Sequence, residues 1–206
     1  MSGRVVLLHG LMMRRPPLLV LAGRLRRRGF TPLLFGYSTL WENPDRAIER
    51  LAARLHALGP QPVHLVAHSL GGLIALETIG RYSQTLPPGR IVCLGSPLAG
   101  SAAARGLAEV HLGFIAGKSG ALLRSGLGAV PGQREVGMIA GSRPVGLGRF
   151  FGHFEGDHDG TVAVSETRLS GLADHAVVDS SHSGLIFSAQ VVQLTADFLE
   201  TGHFRP

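Results

Sequence analysis

Apolar residues along this chain fall into two rhythms that alternate from one end to the other. The runs Val5-Val6-Leu7-Leu8, Leu33-Leu34-Phe35, Val63-His64-Leu65-Val66 and Ile91-Val92-Cys93-Leu94 are short and nearly unbroken, as in strands buried on both faces of a sheet. Between them the apolar positions widen to a helical spacing. The clearest case is Ile48, Leu51, Ala52, Leu55 and Leu58, opened by Asn43-Pro44 and closed by Gly59-Pro60. Read this way, the chain predicts strands over 4–8, 31–35, 62–67, 90–95, 135–141 and 175–179. Helices are predicted over 16–28, 70–82 and 187–200 as well as between Pro44 and Leu58. Such an alternation predicts an α/β fold, with a mostly parallel central sheet and helices on both faces.

The rhythm lapses over 97–134, a stretch rich in Gly and Ala. Because it follows the carboxyl end of a strand, it is expected at the edge where open α/β sheets bind ligands. A small cap or mobile lid and a pair of short packed helices are both open readings. No internal repeat is evident, and 206 residues suit a single domain over 1–206 with that one insertion.

Composition narrows the picture further. Hydrophobic residues make up 45% of the chain and glycines number 29, as in a compact enzyme with many turns. Arg or Gly interrupts every apolar stretch before 18 residues, so no membrane-spanning helix is predicted. Met1 to Arg4 leads straight into the first strand without a cleavable leader, and a cytoplasmic protein is expected. The one cysteine, Cys93, lies within an apolar run and reads as a small buried thiol. The net charge of +6 draws attention to Arg24, Arg26, Arg27 and Arg28. These fall in the last turn of a helix ended by Gly29, where cations complement the helix dipole. Weak attraction to an anionic membrane surface is the other reading of this cluster. No motif for nucleic acid accompanies it.

Chemistry concentrates at Ala67-His68-Ser69-Leu70-Gly71-Gly72, where a predicted strand turns through one serine into a helix. A serine at such a corner is exposed on a strained backbone, and strand and helix can approach only if the flanking side chains are small. Ala67 and Gly71 meet that need. Leu70 then supplies a first-turn N–H beside the hydroxyl, one candidate oxyanion donor. The rival reading makes Ser69 a plain helix N-cap. Downstream stand an acid and then a histidine. Asp159 lies in Asp157-His158-Asp159-Gly160-Thr161-Val162, with Asp157 as the alternative acid, and His182 lies in Asp179-Ser180-Ser181-His182-Ser183-Gly184-Leu185. After the first strand, His9-Gly10-Leu11 offers the Leu11 N–H as the second oxyanion donor, while His9 itself reads as structural. His153 and His158 with the two aspartates show no compact ligand spacing, so no metal is expected.

These residues resemble the α/β-hydrolases, and most of all the small bacterial serine lipases and esterases. The likeness runs through Leu8-His9-Gly10-Leu11, the alanine-bearing elbow at Ser69, Leu94-Gly95-Ser96-Pro97, Asp159-Gly160-Thr161-Val162 and His182-Ser183-Gly184-Leu185. It implies a Ser69–His182–Asp159 triad in the chain order nucleophile, acid, base. It further implies an oxyanion hole of Leu11 and Leu70, no cofactor, and hydrolysis of small-molecule or lipid-like carboxylic esters of short to medium acyl chain. Pro97-Leu98 lacks the histidine usual after that proline in lipases, and no calcium-ligand set is seen. Met12, Phe114 and Phe151, with Met13, Phe150 and Phe154 nearby, are candidate contacts for an acyl chain. A thioesterase or acyltransferase with the same triad, and a non-catalytic binding protein on this fold, remain alternatives. Oligomeric state is not legible.

Overall fold

A computed structural model describes residues 3–13, 16–109, 113–146, 154 and 156–205. Six strands, β1 (Arg4–Leu8), β2 (Thr31–Phe35), β3 (Val63–His68), β4 (Ile91–Leu94), β5 (Val136–Gly141) and β6 (Asp174–Val178), form one sheet in the order β2-β1-β3-β4-β5-β6. Every neighbouring pair is parallel. The expected parallel sheet is therefore present, its strand bounds within a residue or two of those read from the apolar runs.

Alternate strand residues feed two cores. Val6 and Leu8 join Leu65, Ala67, Ile91 and Cys93 beneath α2 (Pro44–Ala57) and α3 (Leu70–Tyr82). Val5 and Leu7 join Val66, Val92, Leu94 and Ile139 beneath α1 (Leu18–Arg27) and α7 (Ala189–Thr201). This is why the strands read as unbroken apolar runs, with neither face meeting water.

Local chemistry explains where the boundaries moved. Helix α1 starts at Leu18, with Pro17 at its N-cap and no side-chain capping bond. The last predicted helix is split into α6 (Gly184–Phe187) and α7. Ser188 breaks it by taking an extended conformation and accepting a hydrogen bond from the Val191 N–H at 3.3 Å, the ordinary behaviour of a serine N-cap. The predicted lapse over 97–134 contains two helices, α4 (Ala102–Glu109) and α5 (Gly120–Ser125), separated by a 3-10 segment at Gly113–Ser119. Ala104, Ala116 and Leu123 pack into the core on the α3 side. The Ser119 hydroxyl donates to the Thr39 carbonyl at 3.3 Å, and the Leu127 N–H to Leu98 O at 2.7 Å.

A parallel sheet gives its two ends different tasks. The segments that follow β1, β3, β4, β5 and β6 all emerge at the carboxyl edge, together with the amino ends of α3 and α6. At the opposite edge three arginines are spent on main-chain carbonyls. Arg4 donates to Leu58 O, Arg90 to Leu199 O at 3.0 Å, and Arg134 to Pro87 O and, at 3.1 Å, to Val63 O. No helix among the described residues is long and apolar enough to cross a membrane.

Candidate active site

Ser69 alone makes the corner between β3 and α3. Its φ of 54° and ψ of −124° lie where a residue bearing a Cβ is strained, at a cost of about 1–3 kcal/mol. It occupies the N-cap position, yet its side chain makes no capping hydrogen bond to the helix, so the hydroxyl is not consumed by the role its place suggests. The corner closes tightly because its flanks are bare. A Cβ on Gly71 would lie 2.9 Å from the His9 carbonyl oxygen, and one on Gly72 would lie 2.6 Å from Ser96 Cβ. Leu70 opens α3, so its N–H has no acceptor within the helix.

Asp159 and His182, 23 residues apart in sequence, meet through a hydrogen bond of 2.7 Å between Oδ2 and Nδ1. The other carboxylate oxygen, Oδ1, accepts the N–H groups of Thr161 at 2.9 Å and Val162 at 2.8 Å. The carboxylate is thus fully engaged although Asp159 is only 1% exposed, which is what a buried charge requires. The main chains are joined as well, the His182 N–H donating to Asp159 O at 2.9 Å. Asp157, the alternative acid, is exposed and makes its contact here with its main-chain oxygen, which accepts from the Val164 N–H. With Nδ1 donating to the carboxylate, the neutral imidazole carries its lone pair on Nε2. The His182 ring lies 4.7 Å from that of His68, the residue preceding Ser69.

Leu11 follows Gly10 in a turn closed by the Met13 N–H on Gly10 O at 3.3 Å. Gly10 does not itself take a left-handed conformation. In the structure the positive φ of this loop belongs to Met12 (54°), and Gly10 is needed for proximity: a Cβ there would sit 2.9 Å from Ser69 Cβ. Met12 is held by its N–H donating to Thr39 Oγ1 at 3.0 Å. His9 is buried, its Nδ1 3.0 Å from Gly10 O, its ring stacked on Tyr37 at 4.5 Å, and its carbonyl accepting the Tyr37 hydroxyl at 2.7 Å.

A model of the alpha/beta hydrolase family matches residues 5–196, from the first strand through the last helix. The chain belongs to the alpha/beta hydrolase family. Solved structures agree on the fold. The mature form of a lipase from Bacillus licheniformis superposes with a TM-score of 0.77 at 18% identity, over 98% of this chain and 93% of that one. A meta-cleavage product hydrolase from Pseudomonas fluorescens gives 0.67 at 14% identity, over 98% and 92%. A structure from a study of carboxylesterases of Nitrososphaera gargenis gives 0.64 at 13% identity, over 97% and 90%. A search of curated proteins finds no match.

Several features of this alpha/beta hydrolase site were not singled out from its sequence. Gly95, at the end of β4, has φ +55°, and a Cβ there would lie 3.1 Å from Asp159 Oδ2 and 3.2 Å from His182 Nδ1. Its motif, Leu94-Gly95-Ser96-Pro97, was visible, but not the contact it allows. Glu166 braces the acid turn, accepting the Ala163 N–H at 2.8 Å and the Ala102 N–H at the start of α4, with Arg105 at 3.8 Å. Burial pushes its carboxyl above the usual range.

Of the candidate acyl contacts, Met12 is 64% exposed at the mouth of a groove of about 640 Å³ that also touches His9, Met13, Tyr37, Leu40 and Trp41. Trp41 is 81% exposed on its wall. The loop bearing it is braced by Arg50 on Glu42 at 2.7 Å and by the Trp41 N–H on Ser38 Oγ at 3.3 Å. Phe154 stacks on His158 at 4.6 Å. Phe150 and Phe151 lie outside the described residues, as does the side chain of Phe114.

Proposed function

We propose that this hydrolase cleaves carboxylic esters through an acyl-enzyme on Ser69, with His182 as general base, Asp159 as its orienting acid, and the Leu11 and Leu70 N–H groups as the oxyanion hole. The observation that carries this reading is the buried, fully hydrogen-bonded Asp159 carboxylate on His182 Nδ1, on a ring packed against His68, the neighbour of the strained serine corner. His182 Nε2 takes the hydroxyl proton as Ser69 Oγ attacks the acyl carbonyl. It returns that proton to the departing alcohol, and then activates a water that releases the acid and restores Ser69. Asp159 stabilises the imidazolium formed on the way. A positioned base contributes about 10²–10⁴ in rate, and each oxyanion donor roughly 10²–10³.

The groove between Met12 and Trp41 supports an apolar acyl chain of short to medium length as the substrate's tail. It begins at His9, next to the Gly10 that abuts Ser69, and its walls are held by Thr39, Ser38 and the Glu42–Arg50 pair. The insertion 97–134 is read as a small cap, since Ser119 ties it to the same loop.

A fluorophosphonate probe tests the chemistry. Wild type labels and Ser69→Ala does not, with ester turnover falling by about 10⁴–10⁶. Efficient cleavage of thioesters with no turnover of esters would instead assign the triad to thioester chemistry, and absence of labelling would make the fold a non-catalytic one. Across a series of p-nitrophenyl esters, Trp41→Ala is expected to lose about tenfold in kcat/KM on the longer chains and little on acetate, the range expected for lost apolar contact.

A further inference from the structure

The residue before Ser69 is itself a buried histidine with an incomplete set of partners. His68 ends β3 at 2% exposure, and its Nε2 stands 3.0 Å from the main-chain oxygen of His182. A carbonyl can only accept, so Nε2 carries the proton and Nδ1 keeps a lone pair. That Nδ1 has no hydrogen-bond partner among the described residues. It faces the oxyanion loop, where a Cβ on Gly10 would come within 3.0 Å of it. Burial, with the neighbouring His182 and His9, presses the His68 pKa down to about 3, so the ring stays neutral and the donor at Nε2 is permanent. Alongside, the rings of His68 and His182 pack at 4.7 Å with a tilt of 49°.

We infer that His68 is a positioning residue for His182, its Nε2–H holding the His182 carbonyl and its ring backing the His182 imidazole so that this ring faces Ser69. The inference rests on the triad reading above. Its physical basis is that both main-chain groups of His182 are tethered, the N–H to Asp159 O at 2.9 Å and the C=O to His68. With the main chain fixed at both groups, two side-chain torsions remain, and the Asp159 carboxylate on Nδ1 restrains them. Because His68 is covalently next to Ser69, the base is referenced to the nucleophile through a single residue. A displaced elbow carries its base anchor with it. An apolar side chain at 68 would fill the space but leave the His182 carbonyl without that donor, freeing the loop to shift.

Two variants of similar size separate this role from mere packing. His68→Gln presents an amide N–H near the position of Nε2, whereas His68→Asn presents one near Nδ1, short of the His182 carbonyl. We expect His68→Gln to keep kcat within about threefold of wild type, and His68→Asn to lose about 10–100-fold in kcat with KM little changed, as for a small misplacement of a catalytic group. The low-field proton resonance of the His182–Asp159 hydrogen bond should persist in His68→Gln and broaden in His68→Asn. Both readings are taken on variants that melt as wild type does. An Asn variant matching wild type in both readouts, or a Gln variant failing as badly as Asn, overturns the inference. Failure of wild type to label with fluorophosphonate would remove the triad reading, while the low-field proton would still report whether His68 holds His182.

Discussion

The two edges of the sheet handle partly buried histidines and charge by opposite means. At the carboxyl edge His182 is paired with a carboxylate, and Leu11 and Leu70 stand where a loop and a helix begin, Leu70 with a first-turn N–H that has no acceptor within its helix. At the amino edge His64 accepts the main-chain N–H of Arg90 at 3.0 Å, with the charges of Arg90 and Arg134 acting on it. There Arg4, Arg90 and Arg134 are clamped on carbonyls, and Arg90 also meets Glu135 at 2.5 Å. The difference follows from chain direction. Parallel strands bring helix amino ends, rich in donors, to one edge and helix carboxyl ends, rich in acceptors, to the other. Donors left open can stabilise a developing anion, whereas acceptors left open must be satisfied, and the arginines do that. A groove of about 1200 Å³ lies at the amino edge, nearly twice the size of the one lined by His9, Met12 and Trp41.

This contrast breaks most visibly at Asp159. Asp159→Asn keeps the shape but favours the wrong His182 tautomer, and should lower kcat/KM on esters by about 10⁴. A loss below tenfold in steady-state assays would remove Asp159 from the triad. The amino edge should answer in the reverse way. Arg134 is largely buried, and burial draws its pKa down to about 10, so its charge is kept at a cost. Arg134→Met leaves the carbonyls of Val63 and Pro87 without that donor and should cost roughly 1–3 kcal/mol, several degrees in Tm for a domain of this size. Ester turnover below the melting range should stay within twofold. A normal Tm with impaired turnover would show that the amino edge is coupled to the chemistry.

The smallest effect concerns pH. Burial, with Arg90 and Arg134 nearby, lowers the His64 pKa from 6.5 to about 4. Between these values the unfolded chain binds a proton that the folded chain refuses. The associated stability is therefore present above about pH 6.5 and is lost as pH falls toward 4. His64→Asn retains an acceptor for the Arg90 N–H and removes the titration. It should flatten the fall of Tm on acidification through that window, while leaving the pH profile of turnover unchanged. An equal slope in both proteins would show that His64 titrates normally.

The parts of the site visible in the chain were those encoded within a few residues of one another. Ser69 was legible because strand, corner and helix are contiguous, and the small residues around it have one obvious use. Asp159 and His182 were legible as candidates because each sits in a polar turn after a strand. Gly95 was quoted within a motif, yet its role depends on Asp159 and His182, both more than sixty residues away. His68 was passed over because the carbonyl it holds is 114 residues on in sequence. Trp41 carries no local signal, since nothing around it in sequence reveals that its loop walls a groove shared with Met12.

The sequence by itself determined the alternation of strands and helices, the parallel sheet, and the serine corner, because apolar periodicity and turn chemistry act over short spans of chain. Only the tertiary structure decided which aspartate meets His182, that Gly10 and Gly95 allow close approach, and that His68 Nε2 meets the His182 carbonyl. Each of these is a contact between segments far apart in sequence. Its existence depends on packing distances of a few tenths of an ångström, which no local pattern encodes.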